Sequence, residues 1–183
     1  FGSFVVKHRA QKTGRILSEI AEDTDRNEKL AKAIQWLYDT GRPVLAISDR
    51  IEQLENVMAM CTMLGMPKED LGLYCGFRNV WMFEKDPTPA RRPPFLEKGC
   101  EYTPVRFTRV RKRITKKQLA EIKENSKVVF ATYGMFTKGV DVPRLAGGVD
   151  LTPRSRAQQV HGRILRLVGG KLTPIWVTVR DTH

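Results

Sequence analysis

With 183 residues, 41% of them hydrophobic and 28% charged, and with no Gly/Ser or Gln/Asn tract, the chain has the composition of one folded domain and not of a disordered or fibrous segment. Its 32 Lys and Arg outnumber 20 Asp and Glu, and the formal charge of +12 favours a polyanionic partner through phosphate neutralisation and counterion release. Three widely spaced cysteines, Cys61, Cys75 and Cys100, form no CxxC pair, which argues against a disulfide framework or zinc site and for a reducing, intracellular setting.

No apolar run approaches the roughly 18 residues of a membrane span. The start, Phe1-Gly2-Ser3, lacks both an initiator Met and the charged-then-apolar order of a signal peptide, so a fragment or processed form is expected. After a short apolar stretch at 4–6, residues 16–20 have room for a helical turn or two. From Asp25 onward, Leu30, Ala33, Ile34, Leu37 and Tyr38 follow the i, i+3, i+4, i+7, i+8 stripe of a helix closed by Gly41. These first 41 residues read as a lead-in and helix, and 42–183 as the main domain.

Residues 43–47 are almost wholly apolar, the pattern of a parallel strand covered on both faces, and Ser48-Asp49 stops it. A helix follows with Ile51, Leu54, Val57, Met58 and Cys61 on one face, ended by Gly65 and Pro67. Residues 71–75 make a second short strand, stopped by Gly76. Residues 77–113 then break the rhythm with Pro87, Pro89, Pro93 and Pro94 and a basic run holding Arg106, Arg109, Arg111, Lys112 and Arg113, which reads as an inserted loop or hairpin. Beyond Ile114 the order is helix, strand at 128–131, a turn-rich segment, strand at 148–151, helix at 155–165 and a last strand at 174–179. Strands alternating with helices imply right-handed βαβ units, hence an α/β domain with an open parallel sheet and helices on both faces.

In such sheets ligands gather beyond the carboxyl ends of the strands. Ser48-Asp49, Gly76 and Thr132 stand at three of those ends and suit a sugar-phosphate track, since they supply hydroxyls and close backbone approach without reading a base. Taken singly, Ser48 reads first as a helix cap and Gly76 as a turn, and their value comes from appearing together in order. The strand ending Ala131-Thr132 is followed by Gly139-Val140-Asp141 and then by Gln159-x-x-Gly162-Arg163-x-x-Arg166. This succession resembles motifs V and VI of superfamily 2 helicases, with residues 43–50 resembling motif IV and Cys75-Gly76 motif IVa. The match covers roughly residues 42–180 and is to the second, C-terminal RecA-like domain.

The resemblance implies residue roles. Thr132, with Ser48, Arg50 and Gly76, would contact nucleic-acid backbone; Gly139, Asp141 and Gln159 would approach ATP; Arg163 and Arg166 would be the catalytic arginine fingers. Thr132 and Gly139 are seven positions apart, one more than in DEAD-box proteins, and Gln159 and Val160 stand where that group has His and Arg. The Tyr133-Gly134-x-Phe136 filling instead resembles phage-type DNA helicases of recombination and repair, which implies an intracellular setting, the cytoplasm, or the nucleoid or host cell if phage-encoded. The plain alternatives are a turn cap for Asp141 and a solvated or acid-paired role for the two arginines. His161 has no ligand or carboxylate partner at useful spacing and reads as packing or surface. In the insertion, Arg109 and Arg111 with Phe77, Trp81, Phe83, Phe95 and Phe107 either grip nucleic acid or pack and solvate the segment.

The sequence contains no GxxxxGK[ST] loop and no Walker-B Asp-Glu pair. ATP and Mg²⁺ would therefore be held mainly by a preceding RecA-like domain of the same protein, and the chain alone is expected to be inactive. The implied function is the C-terminal motor domain of an ATP-dependent helicase or translocase acting on nucleic acid, DNA in preference to RNA. The alternative is a non-catalytic nucleic-acid-binding or annealing module on the same fold.

Overall fold

A computed structural model of the chain describes residues 13–85, 105–137, 142–153, 158–164 and 170–179. The chain divides into two compact units, Phe1–Gly76 with Thr115–His183, and Phe77–Ile114.

The larger unit is built on five parallel strands: β1 (Val44–Ser48), β2 (Leu71–Tyr74), β5 (Val128–Thr132), β6 (Gly147–Asp150) and β7 (Ile175–Thr178), in the order β2-β5-β1-β6-β7. Central β1 is buried along its whole length, as are β6 and all but the last residue of β5, because helices cover both faces. Their apolar runs are continuous for that reason. Helices α1 (Thr13–Glu22), α2 (Thr24–Asp39) and α3 (Ile51–Met63) pack on one another, with α2 and α3 against the sheet. Helix α4 (Lys116–Asn125) lies on β2, while α5 (Tyr133–Thr137) and α6 (Gln158–Ile164) meet beside β5 and β6.

Local chemistry sets the helix ends. Asp23 accepts the Arg26 N–H at 2.9 Å to start α2, and Gly41 adopts φ +75° beyond its end. A Thr115–Gln118 capping box starts α4, and the Arg144 Nη2 donates to Lys123 O (2.8 Å) and Ser126 O (2.5 Å) at its other end. Burial lowers the pKa of that guanidinium from its ordinary value.

Within the sheet, Leu45, Ile47, Val129 and Ala131 meet Phe136, Leu145, Val160 and Ile164 in one core. Leu30, Ile34, Leu37, Leu54, Val57 and Cys61 are also buried, and burial pushes the Cys61 thiol up to about 12. Cys61 and Cys75 are both buried, and Cys100 lies outside the described residues.

The smaller unit is an antiparallel ribbon of β3 (Phe77–Lys85) and β4 (Val105–Arg113). Of the two forms open to the insertion, loop or hairpin, the described part is paired strand. The segment after β5, turn-rich in sequence, starts instead with helix α5: burial of Tyr133 and Phe136 overrides the weak helix preference of Tyr-Gly-Met-Phe-Thr.

Candidate nucleotide and nucleic-acid interface

Parallel strands deliver their carboxyl ends to one side of the sheet. Register sets Ser48 beside Thr132 and Tyr74 beside Ala131, so Ser48, Thr132 and the Gly76 that follows β2 gather along one rim. Asp150 and Thr178, paired across β6 and β7, continue it. Thr132 is half-buried, and a Cβ added at Gly76 would meet nothing within 4 Å, so the backbone there stands in open space.

Ser48 is fully buried. Its Oγ donates to Gln53 Oε1 at 2.7 Å and accepts the Arg50 N–H at 2.9 Å, so the hydroxyl stitches the turn between β1 and α3 and offers no surface to a phosphate in this conformation. The N-cap position itself falls to Arg50, whose side chain does not cap. Its guanidinium reaches the Gly14 carbonyl (Nη2 to O, 3.0 Å), while its buried Nε has no hydrogen-bond partner. The same turn is secured from the segment after β6: the Asp49 N–H donates to Thr152 Oγ1 at 2.9 Å.

Beneath the rim runs a buried polar chain. Gln53 Nε2 donates to Asn27 Oδ1 (2.9 Å) and Leu151 O (3.2 Å), Asn27 Nδ2 donates to Ala21 O (2.8 Å), and the buried Arg26 guanidinium also donates to Leu151 O. Helices α2 and α3 thus meet on the carbonyl just beyond β6, and α1 joins them through Asn27, which satisfies polar groups that would be costly to bury alone.

A second network centres on Asp150, only 4% exposed. Tyr133 Oη donates to its Oδ1 at 2.6 Å, and Oδ2 accepts from Trp176 Nε1 (2.8 Å) and Thr178 Oγ1 (3.2 Å), with His161 Nε2 at 3.1 Å. The His161 ring also packs on Trp176, with centroids 4.1 Å apart. His161 therefore has the carboxylate partner that sequence spacing did not provide, because the fold brings Asp150 beside it. Gly148 makes room for this arrangement: a Cβ there would stand 2.1 Å from the Trp176 ring. None of Asp150, Thr152, Trp176 or Gln53 was singled out by motif or spacing.

Gln159 and Arg163 lie on α6, the helix that His161 ties to Asp150, and their side chains are outside the described set. Gly139, Asp141 and Arg166 lie outside the described residues, as does Phe95. Arg109 and Arg111 are exposed on β4 of the ribbon, where Phe83 and Phe107 are paired in register. Among the described residues no group of His, Cys, Asp or Glu is placed to hold a metal ion, and no helix is long and apolar enough to cross a membrane.

No family model matches the chain, and no curated protein matches it by sequence. Its fold is similar to that of T4 UvsW, with a TM-score of 0.53 at 15% identity, over 94% of this chain and 29% of that one. It is also similar to the C-terminal part of the Fun30 ATPase domain, with a TM-score of 0.51 at 10% identity, over 86% of this chain and 41% of that one. The chain spans less than half the length of either structure. Its five-stranded parallel sheet with flanking helices is a RecA-like α/β arrangement, and the likeness to these two structures is one of fold.

Proposed function

We propose that the chain is the C-terminal motor domain of an ATP-dependent nucleic-acid helicase or translocase, with DNA the favoured track. ATP would lie between this lobe and a preceding RecA-like lobe that carries the phosphate loop and the Mg²⁺ carboxylates absent from this sequence. Arg163 and Arg166, three positions apart in sequence, have the spacing of one helical face and would reach the γ-phosphate from this side. Their guanidinium groups would stabilise charge spreading over the transferring phosphoryl oxygens. Gly139, Asp141 and Gln159 would border the nucleotide. Arg50, Gly76 and Thr132 would follow the nucleic-acid backbone, with Ser48 holding the turn that presents Arg50, and Arg109 and Arg111 would add phosphate contacts on the ribbon.

The observation that most supports this reading is the shared anchor at Asp150. One buried carboxylate holds α5, which begins directly after Thr132, and α6, which bears Arg163. The strand end proposed for nucleic acid and the helix proposed for ATP are thereby braced on the same point, as a coupled motor requires. In a protein carrying both lobes, Arg163→Ala and Arg166→Ala are each expected to lower nucleic-acid-stimulated ATP hydrolysis on the order of 1,000-fold. Nucleic-acid binding measured without nucleotide should stay near wild type. Undiminished turnover in Arg163→Ala would refute the finger assignment.

A further inference from the structure

The register of the ribbon sorts its side chains. Residues directly opposite in an antiparallel pair share a face, and residues two apart along each strand lie on that same face. Phe77 pairs with Arg113, Asn79 with Arg111 and Trp81 with Arg109, so one face carries two aromatic rings opposite two arginines and a third arginine between them. The other face carries Arg78, Val80 and Met82 against Lys112, Val110 and Thr108. Phe77 and Trp81 are 47% and 58% exposed, and all three arginines are exposed. Residues 77–82 and 108–113 include no acidic side chain.

We propose that the Phe77/Trp81/Arg109/Arg111/Arg113 face of the ribbon is a binding site for unpaired nucleic acid, its arginines meeting phosphates and its two rings stacking on bases. The inference rests on the nucleic-acid reading of the chain and adds the strandedness and the residues. Successive rungs on one face stand about 7 Å apart, a ladder that a stretched strand can follow. A ring stacks only on a base whose face is free, and a duplex hides those faces inside its own stack. A duplex could meet the cations but would gain nothing from Trp81. An apolar protein partner would have to desolvate the row of arginines, which disfavours that occupant.

The test measures binding of the chain, without nucleotide, to a fluorescein-labelled oligothymidylate and to a blunt duplex of equal length by fluorescence anisotropy. Trp81→Ala should weaken oligothymidylate binding about tenfold or more, leave duplex binding unchanged, and be rescued by Trp81→Phe. Phe77→Ala should act in the same direction. Arg111→Ala should weaken both probes and reduce the single-strand salt slope by about 0.7. Because Trp81 is an exposed side chain, thermal melts of these variants should overlay the wild type. An unchanged oligothymidylate affinity in Trp81→Ala, or an equal loss on both probes, overturns the stacking face. Failure of the wild type to bind either probe would instead defeat the nucleic-acid reading, while the arginine fingers are judged separately by hydrolysis.

Discussion

Asp150 accepts hydrogen bonds from side chains 17, 26 and 28 residues away, with the His161 ring 11 residues away on the same carboxylate. Asp150→Ala would leave Tyr133, Trp176, Thr178 and His161 facing an empty acceptor, and unmaking a buried charged network costs about 3–5 kcal/mol. Urea denaturation should show that loss as a fall in midpoint, whereas Thr178→Val, which removes one of the weaker bonds, should cost about 1 kcal/mol. Equal, small effects from both substitutions would show that the carboxylate is not the anchor described. The contrast with Arg163 shows what a sequence discloses at this scale. Gln159-x-x-Gly162-Arg163 is a local pattern and can be read directly. The donors to Asp150 come from three different elements, and no spacing rule links them.

Among elements, α2 is pinned to the opposite end of the sheet by Tyr38, whose Oη donates to Asp70 Oδ2 at 2.5 Å while Lys127 Nζ pairs with the same oxygen at 3.1 Å. The Tyr38 hydrogen bond, followed by Lys127, holds the Asp70 carboxyl below the ordinary carboxylate range despite some desolvation. The bond to Asp70 raises Tyr38 in turn. A depressed acid stabilises the fold above its unfolded pKa, about 3.9, and that contribution disappears as pH falls through the lower folded value. A raised phenol contributes below about 10 and loses its share as pH climbs through the folded value. Asp70→Asn should therefore melt a little below wild type at neutral pH, by about 1 kcal/mol or less for a half-buried cluster. The gap should close as pH falls from about 3.9 through the lower folded value of Asp70, and a gap independent of pH would contradict the pairing. Elements whose apolar residues keep a period, such as α2, β1, α3 and β5, were legible in sequence. The ribbon was less so, because arginines fill alternate positions of β4 and mask the strand pattern of Val105–Arg113.

At the level of the whole molecule, periodicity gave a parallel α/β sheet but not the order β2-β5-β1-β6-β7, since crossover helices of similar length permit several orders. Nor did it show how closely the first 41 residues join the sheet. Leu30, Ala31, Ile34 and Leu37 are buried, and Arg26 and Asn27 complete the polar chain that ends at Leu151. A chain begun at Arg42 would expose that apolar surface and strip partners from Gln53. It should lose the cooperative thermal transition of the full chain, as followed by circular dichroism; retention of a sharp transition would mark the two helices as dispensable.

Since α6 is leashed to the end of β6 through His161 and Asp150, the helix has little freedom to swing by itself. Under the motor function proposed above, force developed at a nucleotide would be transmitted as displacement of a stiff block, so the stroke length would be set by how far two lobes separate and not by the bending of one helix.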